Sequence, residues 1–325
     1  MNKETNKNHF TPIFANKYWT SEQQKWVFSH YYYCNNRKKF VKASRAKGYT
    51  AWGYENNIYS QKLEDRLDKE LENDAALLYQ KLIDEVPLTA DERMKWGQFI
   101  ITQAVRTPSF FKYRDKVSDH DYSYKETIIG CPGCEENKYI ACRNWVILDA
   151  AEGDFFVRTD NPVYITGFIE NALTTVFYPL TPRKCFVACS MMETIPVLKG
   201  EAPPFPKQES LQLEKGDVHH INFELMKSAS SSLIVAPLDD SDLTESMALE
   251  VMGSFPQIPF LMSNSTDDYE SFELQERLIE IMGVVDGISY PNREYPFRPF
   301  FGVEFSVGIN PFSVFGVTDD RLPDL

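Results

Sequence analysis

The stretch Asp154-Phe155-Phe156-Val157-Arg158-Thr159-Asp160-Asn161-Pro162-Val163 runs from a short apolar segment into a polar turn closed by proline. A strand that ends this way delivers a carboxylate and an amide to the rim of a sheet, because proline cannot extend the ladder. The flanking sequence repeats the theme. Trp145-Val146-Ile147-Leu148, Thr174-Thr175-Val176-Phe177-Tyr178 and Cys185-Phe186-Val187-Ala188-Cys189 are short β-branched and aromatic runs separated by turn residues. Their spacing predicts antiparallel neighbours joined by short loops. Downstream, 217–230 reads as a short helix containing Asn222, and Leu233-Ile234-Val235-Ala236 as a buried strand.

Upstream, the pattern changes from strand to helix. Leu63, Leu67, Leu71, Ala75, Leu78 and Leu82 fill one stripe of a helix over 61–84. Glu64 falls inside that stripe and Glu72 beyond its edge. A buried carboxylate needs a partner, so each is read either as half of a structural ion pair or as a catalytic group. Thr89-Ala90-Asp91-Glu92 is a capping box, and the helix it starts is expected to stop near Arg106-Thr107-Pro108, since a residue before proline avoids the α region. Gln103 and Arg106 share a face of its last turn. The Arg106 cation either complements the helix dipole there or reaches inward to an anion or to Asp160.

These patterns predict an α+β protein, with an N-terminal helical region packed on a mainly antiparallel sheet and further helices. Its 325 residues, 43% hydrophobic, are expected to form a single large domain over 1–325, with any sub-boundary near 113–142. Residues 9–33 read as extended, with Ser29 to Tyr33 either a strand or part of a short aromatic helix, and 113–130 as an irregular insertion or the end of the helical region. The stretches 241–251 and 269–282 read as amphipathic, and the last forty residues as a Phe- and Pro-rich wrap.

The formal net charge is −13, from 47 acids and 34 bases, which disfavours non-specific binding of nucleic acid by the whole surface. Arg37-Lys38-Lys39, with Lys42, Arg45 and Lys47, is the dense basic stretch, either a solvated loop or an arm that grips phosphate. The aromatic content of 14% either fills the core or lines a pocket that stacks planar ligands such as bases. The polar first residues are followed by no apolar segment, and no run approaches the roughly 18 residues that span a bilayer. A cytoplasmic protein without a membrane partner is expected, its six cysteines held as thiols or metal ligands.

Cys131-Pro132-Gly133-Cys134, with Cys142 beyond it, has the shape of a zinc knuckle. It reads either as part of a structural zinc site or as a tight turn with free thiols. Cys185, Cys189 and the His219-His220 pair are candidates for a fourth ligand. No cofactor is required by any other feature. Nucleotide-binding, metal-hydrolase and nucleophile-elbow signatures are lacking, so chemistry has to come from scattered residues.

Those residues carry a resemblance. His9-Phe10-Thr11-Pro12, Tyr59-Ser60, Leu63-Glu64, Glu72, Gln103-Ala104-Val105-Arg106-Thr107-Pro108, Thr159-Asp160-Asn161-Pro162-Val163, Tyr178-Pro179-Leu180-Thr181-Pro182 and Asn222 follow one another in the order and spacing of a known group. The chain resembles the domain-of-unknown-function family 4238 over about residues 9–235. The resemblance implies that these polar side chains meet in one place, and it supplies no reaction.

Chemically, the set suits hydrolysis. Asp160, Glu72 and His9 are the expected catalytic residues. Arg106, Gln103, Asn161, Asn222 and Glu64 are the expected substrate ligands. Paired carboxylates beside aromatics fit cleavage of a glycosidic bond, whose transition state is cation-like. The leading expectation is metal-independent N-glycosidic cleavage of a nucleobase, nucleotide or nucleic acid, with a role in phage defence by analogy. The alternative is a binding protein whose polar cluster is structural. The glycosidase reading rests on Asp160 and Arg106 becoming neighbours.

Overall fold

The computed structural model describes residues 7–37, 39–117, 135–141, 143–165, 175–189, 208–227 and 229–236. The central layer is a five-stranded sheet in the order β11-β6-β10-β9-β8. Its strands are β6 (Trp145–Asp149), β8 (Tyr164–Ile165), β9 (Val176–Pro179), β10 (Lys184–Ala188) and β11 (Gln208–Gln212). The pairs β6–β10, β10–β9 and β9–β8 are antiparallel, and β11 joins β6 in parallel.

The sheet is buried on both faces, which is why β6 reads as an unbroken apolar run rather than an alternation. Trp145 and Ile147 pack against helices α3 (Asn73–Ile83) and α4 (Ala90–Val105). Val146 and Leu148 point the other way, against helix α7 (Asp217–Lys227) and a second sheet. That sheet has the order β3-β2-β12-β7, with β4 also paired to β2. Its strands are β2 (Val27–Cys34), β3 (Lys39–Lys42), β4 (Lys47–Gly48), β7 (Arg158–Thr159) and β12 (Ser232–Val235). The protein is thus α+β, with helices on one side of a mainly antiparallel sheet and further elements on the other.

Two features depart from the sequence reading. Residues 9–33 are not uniformly extended. A strand β1 (Lys7–His9) pairs with β5 (Tyr54–Asn56), and a short helix α1 (Ile13–Lys17) follows Pro12. The helix expected over 61–84 is three segments: α2 (Gln61–Arg66), a π-helical stretch over Leu67–Glu72, and α3. Four-residue steps from Leu63 through Leu67 and Leu71 to Ala75 overshoot each α-turn by about 40°. The wider π turns absorb that drift and keep all four side chains in the core.

Elsewhere the local signals hold. The Ser60 hydroxyl caps α2 by accepting from Leu63 N at 3.1 Å. Both bonds of the Thr89–Glu92 capping box are present, and α4 ends at Val105 with Arg106 as its C-cap. A new helix, α5 (Pro108–Val117), then starts at the proline that stopped the last one. Helix α6 (Glu135–Ala141) packs closely on α4, where Gly97 lets the backbones approach. Cys131, Cys134 and Cys142, the expected zinc ligands, lie outside the described residues, as do 241–251, 269–282 and the C-terminal forty.

Candidate active site

Three elements bring polar side chains to one place. Strand β1 supplies Asn8 and His9. The α2–π–α3 helix supplies Glu64 and Glu72, and the last turn of α4 supplies Gln103 and Arg106. The N-terminal segment is held down through Gly53, whose carbonyl accepts from Phe10 N at 2.8 Å and Thr11 N at 3.1 Å. Gly53 has φ of 77°, and a Cβ there would collide with the Thr11 side chain, so glycine is required.

In a regular α-helix Glu64 and Glu72 would stand roughly 80° apart around the axis. The π segment takes up about one extra residue, or roughly 100° of rotation, and returns both carboxylates to the same side. Both act electrostatically on Arg106 and on the Tyr59 phenol. Glu64 and Glu72 each follow a core leucine, Leu63 and Leu71, and stand alike at the edge of the buried stripe.

Arg106 is 1% exposed and spends all three nitrogens inside the protein. Nη1 donates to Glu72 Oε1 at 2.6 Å, Nη2 to Gln103 Oε1 at 3.1 Å, and Nε to the Phe10 carbonyl at 3.2 Å. Gln103 Nε2 donates to the same carbonyl at 2.6 Å. Burial works against the Arg106 charge, but Glu72 and its neighbours outweigh it and raise the guanidinium pKa. Arg106 and Gln103 clamp the His9-bearing segment onto the helices.

Glu64 faces His9 on the other side of that segment. Its Oε1 lies 3.5 Å from His9 Nδ1 and accepts from His9 N at 3.3 Å, while Oε2 accepts from Asn8 Nδ2 at 3.4 Å. Burial pushes the Glu64 pKa up, but hydrogen bonds from His9 and Tyr59 and the charge of Arg106 prevail and hold it below the usual glutamate value. The Tyr59 hydroxyl donates to the His9 carbonyl at 3.0 Å, and its own pKa is raised, chiefly by burial. The side chains of His9, Glu64 and Glu72 are 20%, 21% and 18% exposed, so solvent reaches all three.

Asp160 does not join this group. It is fully buried, and the loop before β12 occupies both its oxygens. Ser230 N donates to Oδ1 at 2.9 Å, and Ser231 N and Oγ donate to Oδ2 at 2.7 and 2.6 Å. Burial raises its pKa, with these hydrogen bonds pulling the other way. Arg106 and Asp160 share no hydrogen bond. Asn222 is likewise spent on backbone, accepting from Val157 N at 3.0 Å and donating to the Phe155 carbonyl at 2.7 Å. These two residues position the segment on either side of Arg158.

Asn161 makes the bridge between the two regions. Ser109 Oγ donates to its Oδ1 at 2.5 Å and lies 3.1 Å from the Thr107 hydroxyl, beside Arg106. Sequence reasoning gave no site role to Asn8 or to the fully buried Arg158, and carried Tyr59 only within the resemblance. Arg158 donates to the Tyr178 hydroxyl at 2.7 Å and the Tyr79 hydroxyl at 3.4 Å. Its position ahead of the Thr159-Asp160-Asn161 turn was a usable signal, because a cation inside an apolar strand needs interior partners.

Cys185 and Cys189, considered as zinc ligands, are buried in the central sheet. Burial raises both thiols, Cys189 to about 12, which suits an inert thiol rather than a thiolate ligand. Among the described residues no group of three or more His, Cys, Asp or Glu side chains is placed to hold a metal ion. Nor is any helix among them long and apolar enough to cross a membrane. No curated protein and no solved structure matches the chain. Residues 7–128 and 135–239 match the family described as Protein of unknown function (DUF4238). That match takes in β1, the α2–π–α3 helix, the Arg106 turn and the Asp160 turn, and the chain belongs to this family.

Proposed function

We propose that the protein is a hydrolase that cleaves the N-glycosidic bond of a nucleotide or nucleic acid by acid–base chemistry, with His9, Glu64 and Glu72 as the reacting side chains. One observation carries the reading. Three proton-handling groups stand together, each about a fifth exposed, around a buried arginine that none of the substrate needs to displace.

Cleavage of such a bond develops positive charge on the sugar. Glu72, held by Arg106 through Oε1, faces that charge with its other oxygen and takes a proton from the attacking water. Glu64 orients the His9 ring through Nδ1 and leaves Nε2 to protonate the departing base. The carbon–nitrogen electron pair leaves with the base, and water adds to the sugar carbon. The expected Asp160–Arg106 pair is not made, so the reading now rests on Glu72, Glu64 and His9 instead, with Arg106, Gln103 and Asp160 as positioning residues.

A second reading has its own support. Every nitrogen of Arg106 is engaged within the protein, as in a structural ion pair, which favours a binding protein with no turnover. The test is release of free base from a panel of nucleosides, nucleotides and oligonucleotides. Turnover that falls about a hundred-fold or more in Glu72→Gln and His9→Ala supports the hydrolase. If wild type releases no base from any of them, the second reading stands.

A further inference from the structure

From Gln23 to Tyr54 the chain carries seven Lys or Arg and no Asp or Glu, in a protein whose net charge is −13. This segment forms α1's exit, β2, β3 and β4. Lys25, Arg37, Lys42, Arg45 and Lys47 are all exposed. Among the described residues Lys25, Arg37, Arg45 and Lys47 enter no ion pair. Of the four exposed large aromatics among the described residues, three lie in the same segment: Trp26 at 39%, Tyr32 at 42% and Tyr33 at 41%.

The register arranges these groups. Side chains alternate along β2, so Phe28, His30 and Tyr32 share one face. Lys47 of β4 pairs with Phe28 and joins that face. The Tyr32 and His30 rings lie 6.2 Å apart. His30 is 6% exposed and its Nδ1 is buried without a hydrogen-bond partner. Burial, and then the Lys47 charge, lowers its pKa to about 4, so near neutrality the ring is an uncharged donor and acceptor. Trp26 precedes β2 with Lys25, and both have left-handed backbone, φ 54° and 56°. That conformation is strained for side chains of this size, and it turns the indole outward beside Lys17, whose Nζ lies 5.3 Å from the ring.

We propose that the β2–β4 surface, with Tyr32, Trp26 and the surrounding lysines and arginines, binds single-stranded nucleic acid. Exposed aromatic rings stack on unpaired bases without regard to sequence, and the cations take the phosphates. From Val27 to Tyr32 the strand runs roughly 17 Å, with Trp26 just before it, a reach that suits an oligonucleotide and exceeds a single nucleotide. A duplex hides its base faces and offers these rings nothing to stack on. The acidic remainder of the molecule repels phosphate elsewhere and confines the strand to this surface. The inference goes beyond the hydrolase reading and uses none of its reacting groups.

The experiment is a fluorescence-anisotropy titration of labelled oligothymidylate, oligouridylate and a duplex with the full chain, at several salt concentrations. Wild type is expected to bind the single strands in preference to the duplex, more tightly as salt falls. Tyr32→Ala should weaken binding about ten-fold, with Tyr32→Phe restoring it. Arg45→Gln and Lys47→Gln should each reduce the salt slope by about 0.7. Circular dichroism checks that the variants are folded. Absence of salt-sensitive binding, equal affinity for the duplex, or an unchanged affinity in Tyr32→Ala would overturn the proposal. Binding is read without turnover, so absence of base release by the wild type would sink the hydrolase reading and leave this result standing.

Discussion

The Arg106 guanidinium meets the Glu72 carboxylate at 2.6 Å, joining the end of α4 to the end of the π segment, and Arg106 itself is 1% exposed. A buried pair of this kind adds little against apolar substitutes, yet removing one partner leaves the other charge uncompensated. Each member therefore depends on its partner, and that dependence can be measured.

Glu72→Gln and Arg106→Met are each expected to cost about 3 kcal/mol in urea unfolding, because each strands a charge or a set of hydrogen-bonding groups. The double variant should cost less than the two together by at least about 1 kcal/mol. Additive losses would show that the two side chains do not act as a pair.

Glu64 and Asp160 should respond to acid with opposite signs. The folded Glu64 pKa lies below the ordinary 4.5, so its stabilisation is present above that pH and is lost as pH falls through the folded value. The gap between wild type and Glu64→Gln should narrow in acid. The folded Asp160 pKa lies above the ordinary 3.8, so its contribution is present below that pH and is lost as pH rises through the folded value. The gap between wild type and Asp160→Asn should widen in acid. Unfolding midpoints followed against pH decide both, and parallel curves would contradict the assignment.

Deleting Lys69, on the exposed side of the π segment, removes the residue that the wide turn accommodates. Leu63 and Ala75 are then eleven steps apart, and eleven regular α-helical steps of about 100° leave roughly 20° between them. The segment should therefore close into ordinary α-helix with Leu63, Leu67 and Ala75 still facing the core and Glu64 still facing His9. The loss is expected to stay within about 1 kcal/mol, whereas deleting Leu77 from the regular α3 turns its two ends by about 100° and should cost several. A large loss on deleting Lys69, read from the thermal midpoint, would mean that the wide turn itself is needed to hold this register.

Gly97→Ala tests the contact between α4 and α6. On helix propensity alone the change gains about 1 kcal/mol. A Cβ at this position would lie 2.5 Å from the Asn137 carbonyl oxygen, and backbone does not yield easily. The net effect is expected to be destabilising by about 1–3 kcal/mol, since overpacking outweighs propensity. A raised melting temperature would show that the helices can move apart.

Local signals were legible wherever a short stretch of sequence settles its own geometry. Thr89 and Glu92 mark the start of α4 because a capping box is made by residues three apart. Pro108 marks its end by sterics with its own neighbour. Trp145 to Leu148 reads as a doubly buried strand from composition alone. The π segment was half visible, in leucines four apart rather than alternately three and four, but a helical wheel at a fixed period hides it. Strand β11 was not foreseen. Its pattern, Gln208-Glu209-Ser210-Leu211-Gln212, is polar, and its parallel pairing with β6 comes from the edge it meets.

The amino-acid sequence by itself determined the α+β class, the capped helices, and which polar side chains sit at the ends of apolar elements, because each follows from neighbours a few residues apart. Only the tertiary structure decided who partners whom. Arg106 lies 34 positions from Glu72 and is bound to it, while Asp160 turns to Ser230 and Ser231 across 70 and 71 positions. A carboxylate at a strand end satisfies the local rules equally well with an arginine or with backbone donors. The choice is made by the packing of whole elements, which brings the Ser230–Ser231 loop to Asp160 and the π segment to Arg106.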